Sequence, residues 1–269
     1  MHRDRTARIL GVIPARWGST RFPGKALHLL AGKPLVQHVW ERCVEADKLD
    51  ELVLATDDAR IAEAAKKFGS NVVMTREDHA TGTDRLAEVA GSRHDLTHLV
   101  NIQGDEPLIE PTLINSLADR LISKPDLEMI TAANPIEDER DAGDPNVVKV
   151  VVGQGGQALY FSRSRIPFCR DSQPEFPLLR HHGIYGYTRE FLLKFVTWPP
   201  SPLETCEKLE QLRALDHGTR IDVVITHEHS LGVDTPEQVA PIEKLLLARD
   251  KPVDVKTPAC QTTLATNQS

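Results

Sequence analysis

Apolar residues in this chain fall into short unbroken runs separated by longer stretches of helical period. The first run, ILGVIP at residues 9–14, has no polar alternation, as a parallel strand buried on both faces requires. From Pro34 the period changes. Leu35, Val36, Val39, Trp40, Cys43 and Val44 share one helical face, and the proline sits in the first turn, where its missing N–H is no loss. ELVLAT (51–56) predicts a second strand. Asp57 or Asp58 then caps a helix carrying Ile61, Ala65 and Phe68, which Gly69 ends. NVVM (71–74), HLVNI (98–102) and EMITAA (128–133) predict three more strands. A helix starting at Pro111 turns Leu113, Ile114, Leu117, Leu121 and Ile122 inward. Strands alternating with helices imply an α/β fold: a mostly parallel sheet covered on both faces, with ligands outside the carboxyl ends of its strands.

After about residue 140 this alternation stops. NVVKVVV (146–152) and QALYFSR (157–163) flank Gly153, Gly155 and Gly156 and predict an antiparallel hairpin, while HGIYGY (182–187) and IDVVIT (221–226) add strands. LETCEKLEQLRAL, after Pro199, Pro200 and Pro202, reads as one amphipathic helix with Glu210 in solvent. A last helix from Pro236 carries Val239, Ile242, Leu245 and Leu246. Beyond Asp250 the chain is polar with little periodicity and is expected to be disordered.

Composition changes the picture in one respect. The 269 residues, 40% hydrophobic and 26% charged, can bury a core without disulfides or structural metal. The formal net charge of −7, however, argues against nucleic acid or an anionic membrane as partner. A phosphate-bearing ligand must then be drawn by local cations or by metal. Cys43, Cys169, Cys206 and Cys260 form no CxxC pair, which suits a reducing compartment. MHRDRTAR leads into no long apolar segment, and no run approaches the ~20 apolar residues of a membrane helix, so a cytoplasmic, soluble protein is expected.

Against that acidic background, GVIPARWGSTRFPGK (11–25) places Arg16, Arg21 and Lys25 with Gly18 and Gly24 directly after the first strand. Glycines let backbone N–H groups converge on an anion, and the cations supply charge. The spacing matches neither a Walker loop nor GxGxxG. NIQGDEP (101–107) puts Gln103, Asp105 and Glu106 at a strand's carboxyl end, where carboxylates suit a hard cation such as Mg²⁺ or cap the next helix. Asp234 in GVDTPEQ reads, taken alone, as a helix cap. If the fold brings Asp105 and Asp234 together, two carboxylates can hold metal beside a basic loop, the equipment of phosphoryl or nucleotidyl transfer. MTREDHATGTDR (74–85) can read a base or ribose, or start a helix at Thr83 or Asp84. His181 and His182, adjacent on a strand, point to opposite sides.

IPARWGSTRFPGK, MTREDHATGTDR, VNIQGDEP, VKVVV with ALYFSRSRIP, LRHHGIYGY, PSPLE with LEQLR, and GVDTPE occur in this order. Together they resemble the 3-deoxy-manno-octulosonate cytidylyltransferase (CMP-Kdo synthetase) family over residues 9–249. An extension (1–8) and a flexible tail (250–269) lie outside the likeness. The resemblance implies a nucleotide-diphosphosugar-transferase-like, Rossmann-like fold and a homodimer formed through a β-rich arm at about 135–190. It implies transfer of CMP from CTP to 3-deoxy-manno-octulosonate (Kdo) with Mg²⁺, for lipopolysaccharide synthesis. By motif position, Arg16, Ser19 and Lys25, with Arg21 in the same loop, contact the CTP phosphates, and Arg76 and the segment holding Thr83 hold the cytidine. Asp105 and Asp234 ligate the metal, with Lys25 beside them in catalysis. Gln103, Arg163, His181, Tyr185 and Glu210 surround the sugar acid, with Gln211 nearby. Phe168 and His182 depart from the family pattern on the sugar side and leave a related acid, such as an 8-amino analogue, open. A non-catalytic nucleotide-binding regulator is the reading furthest from this one, and retention of Asp105, Asp234 and Lys25 speaks against it. The DxD pair of a metal-dependent glycosyltransferase is missing at Gly104–Pro107.

Overall fold

The computed structural model describes residues 7–18, 21–170, 176–228 and 231–249. The first apolar run forms β1 (Ile9–Ala15), and a two-residue hairpin, β2 (Leu29–Leu30) and β3 (Lys33–Pro34), precedes α1 (Leu35–Val44). Then come β4 (Glu51–Thr56), α2 (Ala59–Lys67), β5 (Val72–Met74), α3 (Gly82–Gly91), β6 (His98–Asn101), α4 (Pro111–Ser123) and β7 (Met129–Pro135). The second half holds α5 (Glu139–Gly143), β8 (Lys149–Val152), β9 (Ala158–Ser162), β10 (Leu179–Thr188) and α6 (Arg189–Phe195). It ends with α7 (Pro202–Glu207), α8 (Gln211–Asp216), β11 (Ile221–Ile225) and α9 (Val239–Arg249).

Strand order across the main sheet is β11-β7-β10-β6-β1-β4-β5, with the β8–β9 hairpin joined to β10. The strands β1, β4, β5 and β6 pair in parallel, as do β7 and β11, while β10 runs antiparallel between β6 and β7. Side-chain alternation along β1 builds a core on each face. Ile9 and Ile13 pack with Val36, Val39, Leu113 and Leu117 of α1 and α4. Leu10 and Val12 pack with Leu86 and Val89 of α3 and Phe191 and Phe195 of α6.

The first half follows the apolar runs closely. Asp58 caps α2 through its side chain, and Gly69, at φ 80°, follows its end. The expected single helix over 203–215 is instead two short ones. Lys208 adopts φ 55° between them, which breaks the helical ladder and puts Glu210 at the start of α8. The β2–β3 hairpin, α5 and α6 are further elements that the runs did not mark. Among the described residues no helix is long and apolar enough to cross a membrane. The expectation of a disordered tail at 250–269, and most of the extension at 1–8, lie outside the described residues.

Candidate active site

β1 pairs with β4 on one side and β6 on the other, with Ala15 opposite Thr56 and Val12 opposite Asn101. The loops after these strands therefore open on one edge of the sheet. There, Pro14, Ala15, Arg16, Arg21, Lys25 and Ala26 of the first loop face Gln103, Gly104 and Asp105 of the β6 loop across a cavity of about 270 Å³. His79, Thr81, Gly82 and Arg85 form another wall, and Asp234 closes the lining.

Two glycines allow the closeness. Gly24 has φ 70°, and a Cβ there would lie 2.9 Å from the Trp17 ring. Its N–H donates to the Trp17 carbonyl at 3.0 Å, folding the loop back on itself. The Arg60 guanidinium stacks 3.4 Å above the same indole. At Gly104 a Cβ would come within 2.7 Å of the Pro14 carbonyl oxygen, so only glycine lets the β6 loop run against the end of β1.

Asp105 and Asp234 meet because a small core holds their loops together. Leu30, Leu35, Leu108, Val233, Ile242 and Leu246 pack as one cluster. In addition, the Val233 N–H donates to the Asp105 carbonyl at 2.9 Å. The ammonium of Lys25 then sits between the two carboxylates. It donates to Asp105 Oδ2 in a short contact, to Asp234 Oδ1 at 3.3 Å and to the Val233 carbonyl at 3.2 Å. Arg21 reaches Asp234 Oδ1 at 3.1 Å. The capping role expected of Asp234 goes elsewhere. Thr235 is the cap, its side chain and that of Gln238 forming a reciprocal capping box, and the Asp234 N–H donates to Gln238 Oε1 at 2.6 Å. The cap position of α4 likewise falls to Glu110, which leaves Asp105 at the cavity.

A divalent ion can be fitted to this arrangement. Among the described residues no group of three or more His, Cys, Asp or Glu side chains is gathered to hold a metal. The Asp105–Asp234 pair offers hard oxygen donors already gathered around a positive charge, and two carboxylates plus substrate oxygens are the usual holding for Mg²⁺.

The remaining sequence-derived positions divide. Arg16, Arg21, Lys25, Gln103, Asp105 and Asp234 line the cavity. Ser19 lies outside the described residues. Arg76 does not reach the cavity: its guanidinium is mostly exposed and pairs with Asp78 at 3.1 Å. Thr83 is buried, turned from the cavity, and donates to Glu210 Oε2 at 2.5 Å. Glu210 is therefore not the solvated residue that its helical pattern suggests, and burial raises its pKa against the opposing effects of Thr83 and Arg213. Gln211 is buried beside it. The Arg163 side chain is taken up by the backbone carbonyls of Glu207, Pro145 and Lys208, at 2.7, 2.9 and 3.4 Å, away from the cavity lining.

His181 and Tyr185 stand behind the cavity. Gln103 Nε2 donates to the Gly183 carbonyl at 2.9 Å, inside the register shift of β10 between His182 and Tyr185. The bulge sets the Tyr185 hydroxyl 2.8 Å from His181 Nε2, with Thr131 Oγ1 at 3.1 Å from the same nitrogen. Burial, with the neighbouring His182, depresses the His181 pKa to about 3, so the imidazole is neutral near pH 7. Burial raises the pKa of the Tyr185 phenol, which keeps its proton.

Sequence reasoning did not single out Arg85 or His79. Arg85 is buried, lines the cavity, and ties Asp57 of the β4 loop (2.7 Å) to Thr75 after β5 by a short contact. His79 makes a short contact with Glu88. Both lie within MTREDHATGTDR, but Asp57 comes from the β4 loop and Glu88 from a later turn of α3, and no local pattern marks them.

Comparison with known proteins identifies the family. The profile of the family described as cytidylyltransferase matches residues 10–221. A 3-deoxy-manno-octulosonate cytidylyltransferase of Solibacter usitatus is 53% identical, covering 90% of this chain and 95% of its own. One from Geobacter sulfurreducens is 51% identical, covering 88% and 98%. A solved structure of CMP:2-keto-3-deoxy-manno-octonic acid synthetase complexed with CTP superposes with a TM-score of 0.87 at 40% identity, covering 90% of this chain and all of that one. A cavity of cations and paired carboxylates at the carboxyl edge of this sheet, in a chain so similar to these proteins over nearly its whole length, has one reading: the chain belongs to the cytidylyltransferases, in the 3-deoxy-manno-octulosonate cytidylyltransferase family.

Proposed function

We propose that this protein transfers CMP from CTP to the anomeric hydroxyl of Kdo, releasing pyrophosphate and supplying CMP-Kdo for lipopolysaccharide synthesis. The observation that carries the chemistry is the meeting of Asp105 and Asp234 around Lys25, beside Arg21, at the carboxyl edge of the sheet. In a chain of net charge −7, Arg16, Arg21 and Lys25 supply the local field that draws in a triphosphate. The N-terminus of α3, at Gly82 in the cavity wall, adds partial positive charge.

Asp105 and Asp234 would hold Mg²⁺. When bound, the ion lowers the pKa of the sugar hydroxyl and offsets repulsion between the sugar carboxylate and the triphosphate. The hydroxyl gives its proton to water as its oxygen forms the new bond to the α-phosphorus, and the bond from that phosphorus to the bridging oxygen breaks, so that pyrophosphate leaves with the electron pair. Arg16, Arg21 and Lys25 stabilise the charge that builds on the departing group. Gln103 bridges the cavity and the β10 bulge, so the sugar acid is assigned to the side where Gln103, His181 and Tyr185 lie. A neutral His181 can hold a sugar hydroxyl without adding charge. Arg163, Glu210 and Gln211 would complete that side only through rearrangement around α7 and α8.

Mixing the protein with CTP, Mg²⁺ and Kdo should release pyrophosphate in step with CMP-Kdo, and UTP should be a much poorer donor. No release with Kdo, or equal rates with UTP and CTP, would remove this reading.

A further inference from the structure

The Lys25 ammonium has three N–H bonds, and all three point at oxygen: Asp105 Oδ2, Asp234 Oδ1 and the Val233 carbonyl. Three oxygens drawn from two loops are the beginning of a site for a hard cation, and the side chain's own charge fills it. The lysine side chain is only 16% exposed, whereas Arg21, a second cation on Asp234, is 60% exposed and among the described residues pairs with that carboxylate alone. With the ammonium on Asp105 Oδ2 and Asp234 Oδ1, its positive charge repels a divalent ion at the same carboxylates and weakens the ion's hold. Lys25 also lines the cavity beside Arg16 and Arg21, where a triphosphate would compete for it.

We propose that Lys25 is an internal occupant of the cation seat, so that a divalent ion enters only after the nucleotide's phosphates draw the ammonium out. This rests on the cytidylyltransferase reading and deepens it: the same lysine closes the seat before substrate arrives and neutralises phosphate afterwards. Nucleotide and metal are then coupled through one side chain, each favouring the other's binding. The acidic pair is never left unpaired, which two carboxylates held this close would resist. Removing the occupant should raise the affinity of the free protein for metal by the inverse of the fraction of time the seat stands open, at least about tenfold for a seat filled nine-tenths of the time.

The test uses Mn²⁺ alone, followed by electron paramagnetic resonance, on the full chain without nucleotide. Lys25→Met should bind one Mn²⁺ at least about tenfold more tightly than the wild type. Arg21→Met, which removes the same charge from the same aspartate without vacating the seat, should gain only a few-fold. Adding Asp105→Asn to Lys25→Met should erase the gain. Lys25→Gln replaces Lys25→Met if the methionine impairs folding. In ¹H–¹⁵N spectra of lysine ammonium groups, CTP without metal should remove the hydrogen-bonded Lys25 signal of the free protein. Equal gains for Lys25→Met and Arg21→Met, no gain for either, or a Lys25 signal indifferent to CTP would overturn the proposal. Failure of the metal seat itself looks different: Mn²⁺ with CTP would then bind wild type and Asp105→Asn alike.

Discussion

At the scale of single residues, two positions carry separable consequences. Asp105 has no substitute among the described residues, because Asp234 alone offers one carboxylate and Glu106 is not in the cavity lining. Asp105→Asn should reduce kcat at least about 100-fold, the scale of losing a central electrostatic stabiliser. Turnover within a few-fold of wild type in a pyrophosphate-release assay would refute the assignment. His181 predicts a pH effect on stability instead. Its pKa falls from 6.5 to about 3 on folding, so between those values the unfolded chain binds a proton that the folded protein does not. Stability from this residue is therefore intact above pH 6.5 and declines as pH falls, by on the order of 1–2 kcal/mol at pH 5. In His181→Gln the fall in Tm between about pH 7.5 and pH 5 should shrink; a fall of unchanged size would put the titration elsewhere.

At the scale of elements, the decisive feature is how tightly the β6 loop is pressed against the end of β1. Gly104→Ala would drive a methyl group into the Pro14 carbonyl, and backbone cannot give way as a side chain can. A loss of about 1–3 kcal/mol in urea unfolding is expected, with a fall in kcat because Asp105 follows directly. Gly91→Ala, at the end of α3 with nothing near its Cβ, should be neutral or stabilising by up to about 1 kcal/mol. Equal stability for the two variants would show that the contact is not tight. What was legible in the sequence follows from the range of the forces. The strands β1, β4, β5, β6 and β7 and the helices α1, α2 and α4 could be read because burial on two faces writes continuous apolar runs, and helix starts write Asp58 and Pro111 at fixed offsets; the β2–β3 hairpin could not. The split between α7 and α8 could not, because a lysine at φ 55° has no local signature. Glu210 looked solvated because its partner Thr83 comes from α3, far away in the chain. Asp234 looked like a cap because Asp-Thr-Pro offers two candidates, and only packing of Val233 into the small core shows that Thr235 takes the role.

At the scale of the whole molecule, the charge of the cavity and the exposed apolar residues around β9 carry separate consequences. The cavity concentrates cations on a chain that is acidic overall, so raising ionic strength should weaken CTP binding more than it weakens the fold. The β8–β9 hairpin and the segment leading from it to β10 expose large apolar side chains: Leu159 is 56% exposed, Phe168 89% and Phe176 49%, with no covering element among the described residues. Among the described residues β9 pairs only with β8, and an isolated bridge joins Gln157, just before it, to Asp222. An open edge beside large apolar residues is a liability for a lone chain and an asset for a pair. We therefore expect a homodimer through residues 135–190, with a light-scattering mass twice the 29.9 kDa of the chain. Leu159→Glu combined with Phe168→Glu should shift that mass toward the single chain while leaving the circular dichroism spectrum unchanged, since neither residue belongs to the core of the sheet. A wild-type mass of one chain at micromolar concentration would overturn the expectation, and so would a double variant that stays paired.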